Sequence, residues 1–213
     1  MSTTNSKLLI NFIIDNSASM KGEQIDKLKA ALTNFSTKIA KNNLNDKIDF
    51  AITIFKGFES TQFKNFNQII SSYDNLYAGG IPFTGNALAN GLDNLAKQVE
   101  LANKNSEKIY KPWTILLLNG ENYGDVLDAA NKLVDLIKTG KTSYFPFALS
   151  RNDFDISLSP LKKLKPFTTI KNAMYEELFN WVYDLAYKRI TTPPEQSFSI
   201  DPKSFEGWTT KWL

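Results

Sequence analysis

The 213-residue chain contains no cysteine and no histidine. The first absence removes disulfides, thiolate metal sites and thiol nucleophiles. The second removes the usual general base at neutral pH and the commonest zinc ligand. A membrane-length apolar run is missing too: after the polar start MSTTNS, the first apolar stretch ends at Asp15, far short of a bilayer span and without a small-residue cleavage site. Nor does charge of one sign dominate. With 25 Lys+Arg against 22 Asp+Glu the net charge is +3, and the lysines are scattered through helical segments, which argues against a nucleic-acid stripe. A cytoplasmic chain with neither a nucleic-acid nor a membrane partner is the expectation.

What remains is ordinary globular material, 42% hydrophobic and 22% charged, enough for one large domain with its own core. KLLINFIID, KIDFAITIF and WTILLLNG are short, nearly continuous apolar runs, as expected of strands covered on both faces of a parallel sheet. Ile25, Leu28, Leu32, Phe35 and Ile39 recur at helical spacing. TGNALANGLDNLAKQVELAN and VLDAANKLVDLIKTG add two helices, the latter closing at Gly140 with Lys138 in its last turn. FESTQFKNFNQI is polar and alternating, an antiparallel edge strand beside KIDFAITIF. TSYFPFALS and PFTTI give two further strands with a short helix at DISLSPLKKL between them, and Leu178, Trp181, Val182 and Leu185 mark a last helix. The pattern predicts a doubly wound α/β fold: a mostly parallel central sheet with one antiparallel edge strand and helices on both faces. Residues 1–190 form the domain. The tail 191–213, with Phe198, Phe205, Trp208 and Trp212, packs on it, since so much exposed apolar surface is unfavourable. The abundant lysine and asparagine read as solvated surface.

In such sheets ligands bind beyond the carboxyl ends of the strands. Asp15, Asn119 and the loop AGGIPFTGN all fall there. IDNSASM sets Asp15, Ser17 and Ser19 at alternate positions, a pattern that serves equally as a cap for a helix start and as a set of hard oxygen ligands.

With DNSASM after the first strand, GGIPFTGNAL before a helix and KPWTILLLNGE near the middle, residues 7–190 resemble the von Willebrand factor A domains (Rossmann-like), and within them the bacterial tellurite-resistance-associated TerY-like proteins. The resemblance implies a non-enzymatic interaction module that captures an Asp or Glu carboxylate of a protein partner through a metal-ion-dependent adhesion site, in bacterial stress or metal-resistance signalling. The family's Asp-x-Ser-x-Ser is intact as Asp15, Ser17 and Ser19. Its second-loop threonine is replaced by Ile81, with Thr84 three residues on, and its third-loop aspartate by Asn119. Weak Mg²⁺ or Mn²⁺ binding is therefore expected, at a partly degenerate site of Asp15, Ser17, Ser19, Thr84 and Asn119, next to a helix N-terminus that favours the incoming anion. Thr84 also suits a helix N-cap, and Asn119 can hydrogen-bond Asp15 through its amide without any ion. A metal-independent scaffold is the main alternative. A Mg²⁺-dependent phosphatase with Asp15 as nucleophile is weaker, because Ser17 stands where such enzymes need a second aspartate. A phosphate-binding loop fails because GGIPFTGN lacks the lysine.

Overall fold

The computed structural model describes residues 6–56, 59–70, 72–119, 126–149, 168–170, 174–193 and 208–210. Its strands are β1 (Leu8–Ile14), β2 (Ile48–Lys56), β3 (Glu59–Lys64), β4 (Trp113–Leu118), β5 (Ser143–Leu149), β6 (Thr168–Ile170) and β7 (Trp208–Thr210). The helices are α1 (Glu23–Lys41), α2 (Thr84–Lys104), α3 (Leu127–Lys138) and α4 (Tyr175–Thr191), and a 3₁₀ turn spans Ala18–Met20. All strands form one sheet in the order β3-β2-β1-β4-β5-β6-β7. The five inner strands are parallel. The expected antiparallel edge strand is β3 on β2, and β7 adds a second at the other edge, antiparallel to β6. The helix expected at DISLSPLKKL, together with Phe167 and the aromatic residues Phe198, Phe205 and Trp212, lies outside the described residues.

β1 is buried along its whole length, and its alternation feeds two cores. Leu8, Ile10, Phe12 and Ile14 pack with the predicted stripe of α1 and with Leu178, Trp181 and Val182 of α4. On this face Phe12, Phe35, Phe50 and Phe179 interlock, with Phe12 and Phe35 edge to face at 5.7 Å and Phe12 and Phe179 at 5.2 Å. Ile13 turns the other way, toward Leu88 and Leu92 of α2 and the Ala129, Ala130 and Leu133 face of α3. Here α2 lies very close to the sheet: a Cβ on Gly91 would sit 2.8 Å from the Ile13 side chain. The buried Asn11 fastens this approach, its Nδ2 donating to the Gly91 carbonyl at 3.1 Å.

The expectation that asparagine and lysine mark solvated surface needs correction at specific places. Asn11, Asn16 and Asn119 are buried, and so is Lys64 at the end of the polar strand β3. The Lys64 ammonium is enclosed by Asp49 at 3.8 Å, the Asn65 carbonyl at 3.2 Å, the Phe50 carbonyl and the Phe50 ring, 4.0 Å to its centroid. An alternating polar strand exposes one side only; Lys64 lies on the side closed by β2 and residues 65–67.

Candidate metal centre

β1 and β4 are neighbours in space but not in sequence, and the chain leaves them toward opposite edges of the sheet. The crevice at their carboxyl ends is the switch point of the fold, where ligand-binding loops converge. Asp15 follows β1 and Asn119 follows β4, and the Asp15 N–H donates to the Leu117 carbonyl at 2.9 Å.

Four of the five candidate residues form one hydrogen-bonded group. Asp15 Oδ1 accepts the Ser17 N–H at 2.8 Å and Oδ2 accepts the Asn119 N–H at 3.0 Å. The Ser17 and Ser19 hydroxyl oxygens are 2.9 Å apart. Ser19 Oγ donates to the Asn119 carbonyl at 3.1 Å and accepts from Asn119 Nδ2 at 3.2 Å. Asp15, Ser17 and Asn119 are almost wholly buried, whereas Ser19 is half-buried at the mouth.

The Ser17 side chain does not take the helix-cap role. Ser17 stands at the head of the 3₁₀ turn yet caps no backbone N–H with its side chain, and the cap position of α1 is Gly22, with no side chain to offer. The hydroxyls are aimed at each other instead. The observed separation is that of an ordinary O–H···O hydrogen bond, and it is also compatible with two adjacent corners of an Mg²⁺ octahedron, which lie about 3.0 Å apart when each oxygen is about 2.1 Å from the ion. Among the described residues no three Asp, Glu, His or Cys side chains gather anywhere.

Two expectations are corrected. The amide that reaches Asp15 is the Asn119 backbone N–H; the side-chain amide goes to Ser19. Thr84 is not a cap either. It is the first residue of α2, fully buried, and Phe83 holds the cap position. In addition, the first turn of α1 already carries Glu23 and Asp26, which offset the attraction of its N-terminus for a further anion.

Asn16, between Asp15 and Ser17, has a structural role that its place in the motif does not signal. Its Nδ2 donates to the Tyr77 carbonyl at 2.9 Å and its own carbonyl accepts the Gly79 N–H at 2.8 Å. Next to it the Ala18 N–H donates to the Gly80 carbonyl at 3.0 Å. These bonds hook the second loop onto the first, and Gly80 takes the positive φ of 74° that the hook requires. Ile81, just beyond, is left 48% exposed beside the site.

The sequence profile of the von Willebrand factor type A domain matches residues 10–169. The chain belongs to this family. No curated protein matches it in sequence. Among solved structures it is similar to the pilus adhesin SpaC of Lactobacillus rhamnosus GG, at 13% identity and a TM-score of 0.64 over 87% of this chain and 31% of the adhesin. It also resembles the proximal thread matrix protein 1 of mussel byssus (14%, 0.54, covering 85% of this chain and 48% of that one) and the SpRpn10 VWA domain (12%, 0.52, covering 82% and 94%). The chain thus spans about a third of the adhesin, and at these identities the likeness is one of fold. Domains of this family are protein-interaction and adhesion modules.

Proposed function

We propose that this domain is a non-enzymatic interaction module that binds an acidic group of a protein partner through a weakly held Mg²⁺ or Mn²⁺ ion. The observation that carries the reading is the Ser17–Ser19 oxygen pair, at a spacing compatible with an octahedral edge, beside a buried carboxylate. Ser17 and Ser19 would be direct ligands. Asp15, already oriented by two backbone N–H groups, would supply negative charge, with Thr84 and Asn119 completing the walls. A bound ion would provide a positive centre with a coordination position left for the partner's Asp or Glu. The loss of the family's usual Thr and Asp, replaced by Ile81 and Asn119, is what weakens metal affinity in this scheme. The TerY-like features of the sequence favour a place in bacterial stress or metal-resistance signalling.

The same hydrogen bonds favour a second reading, a metal-independent scaffold. Asn119 Nδ2 on Ser19 Oγ occupies a hydroxyl lone pair that an ion would need. A phosphatase is disfavoured because both Asp15 oxygens accept backbone N–H bonds in a buried site, which suits a fixed charge better than an attacking nucleophile. A pull-down with Mg²⁺ or with chelator, using wild type and Asp15→Ala, separates the readings. Capture that is lost with chelator and with Asp15→Ala supports the metal bridge, whereas capture indifferent to both leaves the scaffold.

A further inference from the structure

The lysines that are scattered along the sequence are gathered by the fold. In an alternating β/α chain every parallel strand starts, and every intervening helix ends, at the same end of the sheet, here the end opposite Asp15. Lys47, Lys7 and Lys108 are adjacent there: the Leu8 N–H donates to the Lys47 carbonyl at 2.8 Å and the Lys7 N–H to the Lys108 carbonyl at 2.9 Å. Lys111 and Lys141 continue the row, since the Ser143 N–H donates to the Pro112 carbonyl at 2.8 Å. The row crosses the starts of β2, β1, β4 and β5, a width of about 15 Å. Lys41, Lys104 and Lys138 join it from the last turns of α1, α2 and α3.

Helix dipoles account for lysines in last turns. They do not account for the five at strand starts, none of which forms an ion pair among the described residues. Among the described residues acids are fewer at this end: Asp46, Glu107 and Asp135, with Asp49, Glu100 and Asp184 engaged by Lys64, Lys104 and Lys38. Two large apolar side chains protrude from the same end. Ile69, on the rim of the cleft that contains Lys7 and Lys64, is 90% exposed, and Leu101 in the last turn of α2 is 46% exposed.

We propose that this basic end of the domain is a peripheral docking surface for an anionic lipid bilayer. A broad field of lysines matches a plane of diffuse negative charge, and protruding aliphatic side chains gain by entering the acyl boundary. A nucleic acid would favour several arginine forks and exposed stacking aromatics, whereas among the described residues this end offers one arginine, Arg189, whose guanidinium lies 4.5 Å from the centroid of the buried Tyr110 ring. No described helix is long and apolar enough to cross a membrane, so the contact lies on the surface of the bilayer.

The test is co-sedimentation of the full chain with vesicles of phosphatidylcholine alone or mixed with phosphatidylglycerol. Binding is expected only to the mixed vesicles and should fall with salt. Each of Lys47→Gln, Lys108→Gln and Lys141→Gln should lower partitioning about fivefold, and Ile69→Ser several-fold more. Lys27→Gln, at the opposite end beside Glu23, should leave it unchanged. Equal binding to neutral vesicles, or lysine variants that partition like wild type, would overturn the proposal. So would a DNA duplex that displaces the chain from vesicles with Ile69→Ser without effect on either. Where a variant loses its thermal transition, the salt dependence of the wild type decides, and binding insensitive to salt overturns the proposal.

Discussion

Asp15 and Asp49 are both buried acids on neighbouring strands, one just past the end of β1 and the other near the start of β2, and they are held in different ways. Asp49 faces an ammonium: Lys64 lies 3.8 Å from Oδ1, and Oδ2 accepts the Asn67 N–H at 2.8 Å. Asp15 receives backbone N–H groups from two loops, dipoles that orient a carboxylate without adding a countercharge. The first arrangement commits the acid to the fold, as a clasp between β2 and residues 64–67. The second fixes direction, which is what a cation-binding group needs. The same residue type therefore serves as a structural group at one end of the sheet and as a candidate binding group at the other.

The sharpest way to break the comparison is Lys64→Met. It leaves Asp49 buried with one N–H partner, and loss of one member of a buried pair costs about 3–5 kcal/mol, to be read from urea unfolding. Adding Asp49→Asn should recover much of that loss. The corresponding pH effect is next in size. Burial pushes the Lys64 ammonium down to about 8 from its ordinary 10.5, although Asp49 pulls the other way. Below that value both folded and unfolded chains are charged and folding bears the full desolvation. Between about 8 and 10.5 the folded chain has released a proton that the unfolded chain keeps, so stability rises with pH by up to about 3 kcal/mol. Burial also pushes the Tyr73 hydroxyl up to about 12 from 10; above about pH 10 the unfolded chain loses that proton first and stability falls again. Unfolding midpoints across this range should pass through a maximum that flattens in the Lys64→Met, Asp49→Asn variant.

At the other end Asp15→Ala leaves two buried N–H groups without their acceptor, which costs about 1–3 kcal/mol. The diagnostic part is linkage. Mg²⁺ should raise the unfolding midpoint of wild type and leave that of Asp15→Ala unmoved, because only a folded state that binds the ion is stabilised by it.

This contrast was only half legible in the sequence. The buried strands of the parallel core and the stripes of α1 and α4 could be read because a strand covered on both faces admits only apolar residues and a helix must repeat its contacts every turn. Asp15, Ser17 and Ser19 were visible because a motif at fixed spacing follows such a strand. Lys64 was not: in a polar alternating strand nothing local distinguishes the side that later elements close. The hook through Asn16 was hidden for a similar reason, since its partners are backbone atoms of Tyr77 and Gly79 sixty residues away. The three-residue β7 has no periodicity of its own and exists by pairing with β6. Thr84 was misplaced by one position, the ordinary uncertainty of a helix start.

The finest test of the site is Asn119→Asp. The backbone N–H that reaches Asp15 is retained, but the new carboxylate is buried close to that of Asp15, so the metal-free domain should lose about 1–3 kcal/mol through like-charge repulsion and desolvation. The charge balance changes too. With Asp15 as the one candidate carboxylate, a bound dication would keep more of its positive charge, hold less tightly to the free domain and attract a partner's carboxylate more strongly. A second carboxylate should tighten metal binding by about tenfold or more, as a close opposite charge does even in a partly screened site. It should also weaken the attraction for the partner. Because metal and partner each raise the other's affinity by one common factor, that factor should be larger in wild type than in Asn119→Asp. Calorimetric titration of Mg²⁺ into both proteins, with and without a captured partner, measures it twice over. Equal coupling in the two proteins would mean that the charge at position 119 does not set recognition, and coupling absent from both would return the site to a scaffold closed by its own hydrogen bonds.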